Sequence, residues 1–393
     1  MDYDTKFDRY RTPEELKPEI KKLHEQDNWH GSLAVLEDWS VIFGTIILCE
    51  FAPGLVTGLV SHTSLCITST LLYIISLFIL GSRHRALATL LHESSHETIA
   101  KNKKLNYLIG TVFGGWAIGQ SRAVYRKSHV KDHHAHLGDE KKDPDYQAML
   151  DTGLYSDKMS RSELHQYLWG IISPRQTLVY WKYLIVNRIW SKWEPWAEFI
   201  PRMLYVVTIV TAVTATGNGL RFLKYWVLPM LTTANWVGSL IELAEHYPLI
   251  KVKPENNELY MSRNRLHISR ITYFFLGMHE ESWHLVHHIF PRMPFYHQEE
   301  AHNILMQDPK YAAVQRTSGW LGIIEEMGTL AEEKKYPQKP ILRKRSRDDE
   351  FDREVLAGNG EPAADSRQGR EPATDFRSFT GREPADDAAA ASN

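Results

Sequence analysis

Histidines at short, repeated spacings are the residues of this chain most able to do chemistry. His92-Glu-Ser-Ser-His96 comes first, then His129-Val-Lys-Asp-His133-His134, with His136 and Asp143-Pro-Asp145 beyond it. Glu242-Leu-Ala-Glu245-His246 is third, and His284-Leu-Val-His287-His288 is fourth, just ahead of Phe290-Pro291. On a helix, positions i and i+4 share a face, so two imidazoles can reach one metal ion. A single such pair is often a coincidence; the argument lies in the conjunction. So many imidazoles with no cysteine among them exceed what one tetrahedral zinc takes. Two redox-active metals, each with four or five imidazoles, use the set economically. Iron accepts imidazole and carboxylate and leaves room for dioxygen between two ions. Carboxylates are scarce in the set, unlike the Glu-x-x-His pattern of soluble di-iron bundles. The rival reading is a histidine-rich membrane carrier or store of metal. It would place its ligands inside apolar spans or in a low-complexity tract.

The elements that must position these groups are apolar. The stretch Trp39–Val60 is interrupted by Glu50 and Pro53-Gly54, whereas Ser64–Leu80 carries no charge. Together they predict a helical hairpin, a helix needing ~20 residues to cross the hydrocarbon core. Met203–Ala215, extended back by Phe199 and Ile200, and Phe222–Leu243 form a second pair around Gly217-Asn218-Gly219. The expectation is an all-α, polytopic membrane protein with four transmembrane helices in two hairpins. A cytoplasmic helical cap then holds the metal site. Lys and Arg crowd the N-terminal arm and the central polar region and are missing from the first hairpin tip, which puts that side in the cytoplasm. All four histidine clusters fall on it, at span ends or in polar stretches. Glu50 reads as the end of a short span. Leu105–Ile118, glycine-rich and short, reads as an interfacial helix. The Tyr and Trp residues between Tyr180 and Trp196 read as headgroup anchors rather than a substrate groove.

Three regions follow: an N-terminal arm over 1–32, a membrane domain over 33–333, and a basic linker with an Ala/Glu/Pro-rich tail over 334–393. The tail is expected to be disordered. No secretory signal is apparent. The formal net charge of −2 gives no support for binding nucleic acid. The two cysteines, Cys49 and Cys66, exclude a disulfide scaffold and a cysteine-held iron–sulfur centre.

The boxes His92–His96, His129–His134 and His284–His288 strongly resemble those of the integral-membrane fatty acid desaturase and hydroxylase superfamily, over roughly residues 29–311. The stretch His284–Pro294 is the closest match. The resemblance implies a di-iron centre at the cytoplasmic surface, dioxygen as co-substrate, and a tunnel holding an acyl chain. It makes His92, His96, His129, His133, His134, His284, His287 and His288 iron ligands, with His246 as the histidine added from the fourth span. Relatives carry asparagine four residues before that histidine. Here Glu242 stands there, aimed at the site by its i, i+4 spacing, and it is taken as a catalytic group. Glu280 also stands where relatives often have asparagine. These departures leave desaturation, hydroxylation and oxidative decarboxylation to a terminal alkene open as outcomes, with fatty acid desaturation the leading one. His136 and His279 are expected to support the ligands by hydrogen bonds, with Asp132, Asp139 and Glu93 as candidate partners. With no fused haem or iron–sulfur module, electrons must come from a separate ferredoxin, or from cytochrome b5 with its reductase. The missing cytochrome and the Asp-Pro-Asp flank favour a bacterial inner membrane over the endoplasmic reticulum.

Overall fold

In the computed structural model the described residues are 9–156, 159–250, 258–315 and 319–333. The expected disordered tail over 334–393 lies outside them. The described residues are all-helical, with one isolated bridge between Thr57 and Val60 and no strand.

Seven helices organise the site: α1 (His30–Leu55), α2 (His62–His96), α3 (Pro174–Leu184), α4 (Trp196–Ala215), α5 (Thr233–His246), α6 (His284–Ile289) and α7 (Gly319–Glu333). Three of them, α1, α2 and α4, are long and apolar enough to cross a membrane. Their apolar stretches face outward, with Phe43, Ile47, Phe51, Ile67, Leu71 and Leu204 exposed. Large apolar side chains left in the open in this number are what lipid contact requires.

The helix α2 changes character along its length. Ser61 caps its start, its hydroxyl accepting from the Ser64 N–H at 3.2 Å. From Leu80 onward it is buried almost without interruption as far as His96. At 1.5 Å per residue its 35 residues extend roughly 50 Å, well beyond a hydrocarbon core of about 30 Å. The uncharged stretch predicted to end at Leu80 therefore continues as one rigid rod into the first histidine pair. Glu97, in the left-handed region at φ 64°, stops it directly after His96.

The expected fourth span does not form a single helix. Gly219–Phe222, a wide π turn over Leu223–Val227 and Leu228–Leu231 precede a break at Thr232 (φ −124°, ψ −87°), after which α5 begins. Pro229 removes a backbone donor there. The Thr232 hydroxyl returns to the Leu228 carbonyl at 2.7 Å, and the Thr233 hydroxyl donates to the Leu77 carbonyl of α2 at 2.6 Å. Contact with α2 compensates the break.

Glu50 does more than mark a helix end. It accepts from Arg221 Nε at 2.8 Å and from the Tyr225 hydroxyl at 2.6 Å, so it ties α1 to the start of the broken segment. The helix α1 itself continues past Pro53 to Leu55. The Leu105–Ile118 run is helical, built largely from a π segment over Leu108–Gly115 packed on α2. Gly110 makes that approach possible: a Cβ there would lie 2.1 Å from Ser94 Cβ and 2.5 Å from the Leu90 carbonyl oxygen.

Candidate metal centre

Each histidine cluster sits on a different element, and each is aimed by local helix geometry. His92 and His96 share a face of α2, and His246 ends α5. His284, His287 and His288 occupy one face of the short α6. The second cluster needs more than α geometry, because His129, His133 and His134 cannot all share an α-helical face. Arg126–His133 is instead a π helix, closed by the His134 N–H on the His129 carbonyl at 2.9 Å. The widened turn points His129 and His134 to one side of the cluster and His133 to the other.

The nine predicted histidines converge completely, in two adjoining groups. His92, His96, His129, His134 and His287 form one, and His133, His246, His284 and His288 the other. In the first, the Nε2 atoms of His92 and His287 are 2.8 Å apart, those of His287 and His134 3.1 Å, and those of His134 and His129 3.1 Å. In the second, His246 and His284 are 2.9 Å apart and His284 and His288 3.0 Å, again Nε2 to Nε2. The groups touch where the His134 and His288 rings stack with centroids 4.4 Å apart.

Acceptors behind the rings fix which nitrogen faces inward. His133 Nδ1 donates to Asp143 at 2.9 Å and His246 Nδ1 to the Met261 carbonyl at 3.1 Å. His284 Nδ1 lies 3.3 Å from Glu245, and His129 Nδ1 3.5 Å from Asp145. Asp145 is held in turn by Arg188 at 2.8 Å and by the Tyr183 hydroxyl at 2.7 Å. Supports of this kind orient an imidazole ligand and raise its basicity. They are not the acids expected from the sequence. Asp132 pairs with Lys127, Asp139 caps a turn at Lys141, and Glu93 accepts from Thr98. His136 bonds the Asp132 carbonyl, and His279 pairs at 2.8 Å with the fully buried Asp38, which also holds Arg83.

Burial, followed by the neighbouring imidazoles, drives His129, His134, His284 and His288 well below the usual histidine range and His287 to about 3. His133 goes the other way: burial opposes its charge, but Asp143 and Asp145 raise it to about 9. Most of the set is thus neutral, with Nε2 lone pairs crowded at about 3 Å. His96 Nε2, buried, has no hydrogen-bond partner. Crowded lone pairs and an orphaned ring nitrogen are what a cation resolves, and an imidazole donor set suits a transition metal.

Glu242 stands apart. It belongs to none of the candidate metal groups; its Oε1 accepts from the Tyr180 hydroxyl at 2.8 Å. Glu280 faces away too, accepting from the Tyr273 hydroxyl at 2.7 Å and from Trp283 Nε1 at 2.9 Å. The Tyr180–Glu242 pair divides two cavities of about 60 and 50 Å³ on the α5 side of the histidines. Tyr180 and Trp181 line the first, and Tyr180 and Tyr183 the second, so part of the aromatic group forms a groove. Trp190, Trp193 and Trp196 remain exposed, as anchors would be. A larger cavity of about 400 Å³ opens beside His96, with Lys101, Lys103, Arg122 and Arg292 in its wall.

Comparison with known proteins gives the same direction. Residues 68–320 match the fatty acid desaturase family model. This chain belongs to the fatty acid desaturase family. It is 30% identical over 324 residues to dihydrorhizobitoxine desaturase of Bradyrhizobium elkanii, covering 81% of this chain and 86% of that protein. It is 23% identical over 228 residues to the chloroplastic omega-6 fatty acid desaturase of Arabidopsis thaliana, covering 55% of this chain and 49% of the plant protein. The chain is therefore a desaturase-family oxidoreductase, the family implies a lipid substrate, and histidine groups able to hold metal lie at this desaturase's centre.

Proposed function

We propose that this desaturase is an oxygen-dependent di-iron enzyme that introduces a carbon–carbon double bond into a lipid acyl chain. The observation that carries the reading is the division of nine imidazoles into adjoining groups of five and four. In it, His92, His96, His129, His134 and His287 hold one iron and His133, His246, His284 and His288 the other. Bound iron supplies the oxidising power, drawn from dioxygen, that an unactivated C–H bond requires. The two hydrogens leaving adjacent carbons, with two electrons and two protons from a donor, reduce dioxygen to two waters.

The chain's own residues provide position and exclusion. Asp143, Glu245 and the Met261 carbonyl keep Nδ1 protonated on their histidines, so the Nε2 lone pairs stay directed inward. The near-continuous burial of α2 from Leu80 to His96 keeps bulk water from the centre. Glu242 keeps the Tyr180 hydroxyl proton on a line between the two cavities, which makes it a group that contacts substrate rather than metal. The basic wall beside His96 suits an acidic electron carrier, a ferredoxin or cytochrome b5 with its reductase, arriving from the cytoplasm. The broken Gly219–His246 run serves as the fourth crossing, which leaves the histidines on the cytoplasmic face of a membrane, a bacterial inner membrane in this reading. Both named relatives are desaturases although their names give different substrates, which favours double-bond formation over hydroxylation or decarboxylation.

The deciding experiment is mass-spectrometric profiling of lipids and hydrocarbons from cells making the protein, alongside metal analysis of the purified sample. The expected result is a new unsaturated product and about two irons per chain. An active sample free of iron, or a metal-binding sample whose membranes consume no donor-dependent oxygen, would overturn the reading, the latter in favour of a metal carrier.

A further inference from the structure

The cavity of about 60 Å³ beside the metal centre combines apolar walls, among them Ile118, Leu184, Ile189 and Met230, with charged and polar side chains. It begins at Ala88 on α2 and Glu242 on α5, each one helical turn before a cluster histidine, with Tyr125 between it and His92 and His129. From there it runs back along α2 to His84 and along α5 to Asn235. By helix rise His84 lies about 12 Å from His92 along the axis. The polar part of the wall along that path is Arg85, Arg188, Gln120, Asn235, Glu242 and His84.

Two of these side chains have unanswered hydrogen-bonding groups. His84 is 2% exposed with neither ring nitrogen partnered, and Gln120 is 7% exposed with Oε1 unpartnered. Buried polar groups in folded proteins are nearly always paired, and orphans gathered at one cavity call for an occupant. A saturated, methyl-ended chain would leave all of them unanswered. The neighbouring cavity beyond Tyr180 also carries polar side chains, Asp145, Thr152, Gln176, Ser239 and Glu242, but none of them has a buried atom without a hydrogen-bond partner.

The geometry points to a substrate that is polar at the end remote from its point of oxidation: an acyl or alkyl compound whose buried end bears a hydroxyl or amino group, received by Gln120 and His84. The carbamoyl oxygen of Gln120 accepts from that group. The neutral imidazole of His84 offers one donor and one acceptor. Glu242 lies between this end and the histidines and adds a polar group to a path that is otherwise partly apolar. This assignment rests on the proposed desaturase reading and narrows it from acyl chains in general to end-functionalised ones.

The test is equilibrium binding to the full-length protein in detergent. The probes are saturated free acids from octanoic to palmitic, each with its ω-hydroxy and ω-amino counterpart. At the length that reaches His84, the polar-ended member should bind about tenfold more tightly than its methyl-ended partner. Gln120→Leu should bring the pair to near equality, and Gln120→Glu should shift the preference toward the ω-amino member. Methyl-ended acids binding as well or better at every length would overturn the proposal and leave a cavity that holds water only. An unchanged preference in both Gln120 variants would overturn it as well. Iron content and oxygen uptake are read on the same samples. A protein without iron and without uptake overturns the desaturase reading, while the binding ratio is scored independently.

Discussion

His96 Nε2 is the sharpest single sign of a cation in this protein, a ring nitrogen buried among imidazoles and bonded to nothing. At the scale of residues, ligands and the groups behind them make separable predictions. His288→Ala removes a ring 3.0 Å from His284 and should abolish turnover and lower the iron content, leaving membrane insertion unchanged. Iron analysis and fractionation of membranes check this. Asp143→Asn keeps the side chain's shape but removes the charge that His133 Nδ1 donates to. Loss of such a support should weaken metal binding roughly 10–100-fold, read by competition with a chelator. Asp143 also receives the Gly138 N–H at 2.8 Å, so the variant should be scored by affinity and not by activity alone.

Among elements, close approaches between helices decide whether the clusters meet. Gly238 lies one turn before Glu242 on α5, and a Cβ there would sit 2.5 Å from the Tyr180 hydroxyl oxygen. Gly238→Ala should therefore displace Tyr180 from Glu242, lowering turnover while iron content holds; activity per bound iron is the readout. A second junction joins α1, α2 and the loop before α6 through Asp38, Arg83 and His279. His279 and Glu280 have φ of 53° and 57°, a region disfavoured for side-chain-bearing residues, so their loop needs outside support. Asp38→Ala would remove the acceptor shared by Arg83 and His279, leaving Arg83 the more distant Glu37 at 3.8 Å, and the expected cost is about 1.5–3 kcal/mol of stability. A lower melting temperature in detergent would register it.

Over the whole molecule, one rigid helix spans the change from lipid-facing to core environment, and buried clusters behind it lock the remaining histidine elements. One such cluster includes Ile20, Leu285, Val286, Met293 and Leu305 around α6; another joins Ile323 and Met327 of α7 to Leu164 and the elements after the second box. A cation held between neutral imidazoles crowded at about 3 Å would stabilise the folded chain, so on the proposed reading metal binding adds to folding free energy. Stripping the metal with a chelator should lower the melting temperature of the full-length protein, and iron should restore it. Failure of both would argue against the paired centre.

The sequence by itself determined the donor set, because imidazole pairs at i, i+3 and i+4 carry their own geometry and need only a helix to be read. Apolar, uncharged stretches likewise announced the helices that lipid contact demands. What lies between was not legible. A π turn over Arg126–His133 has no composition signature, yet it alone lets His129 and His133 serve opposite groups. The break at Thr232 is balanced by a hydroxyl reaching Leu77, more than 150 residues away in sequence. The acids behind the histidines, the pairing of Glu242 with Tyr180 instead of the centre, and the buried, unanswered His84 are likewise set by side chains from distant elements. Ligand chemistry is a property of residue type and local spacing, whereas partner choice and cavity lining are long-range contacts that only the packed chain defines.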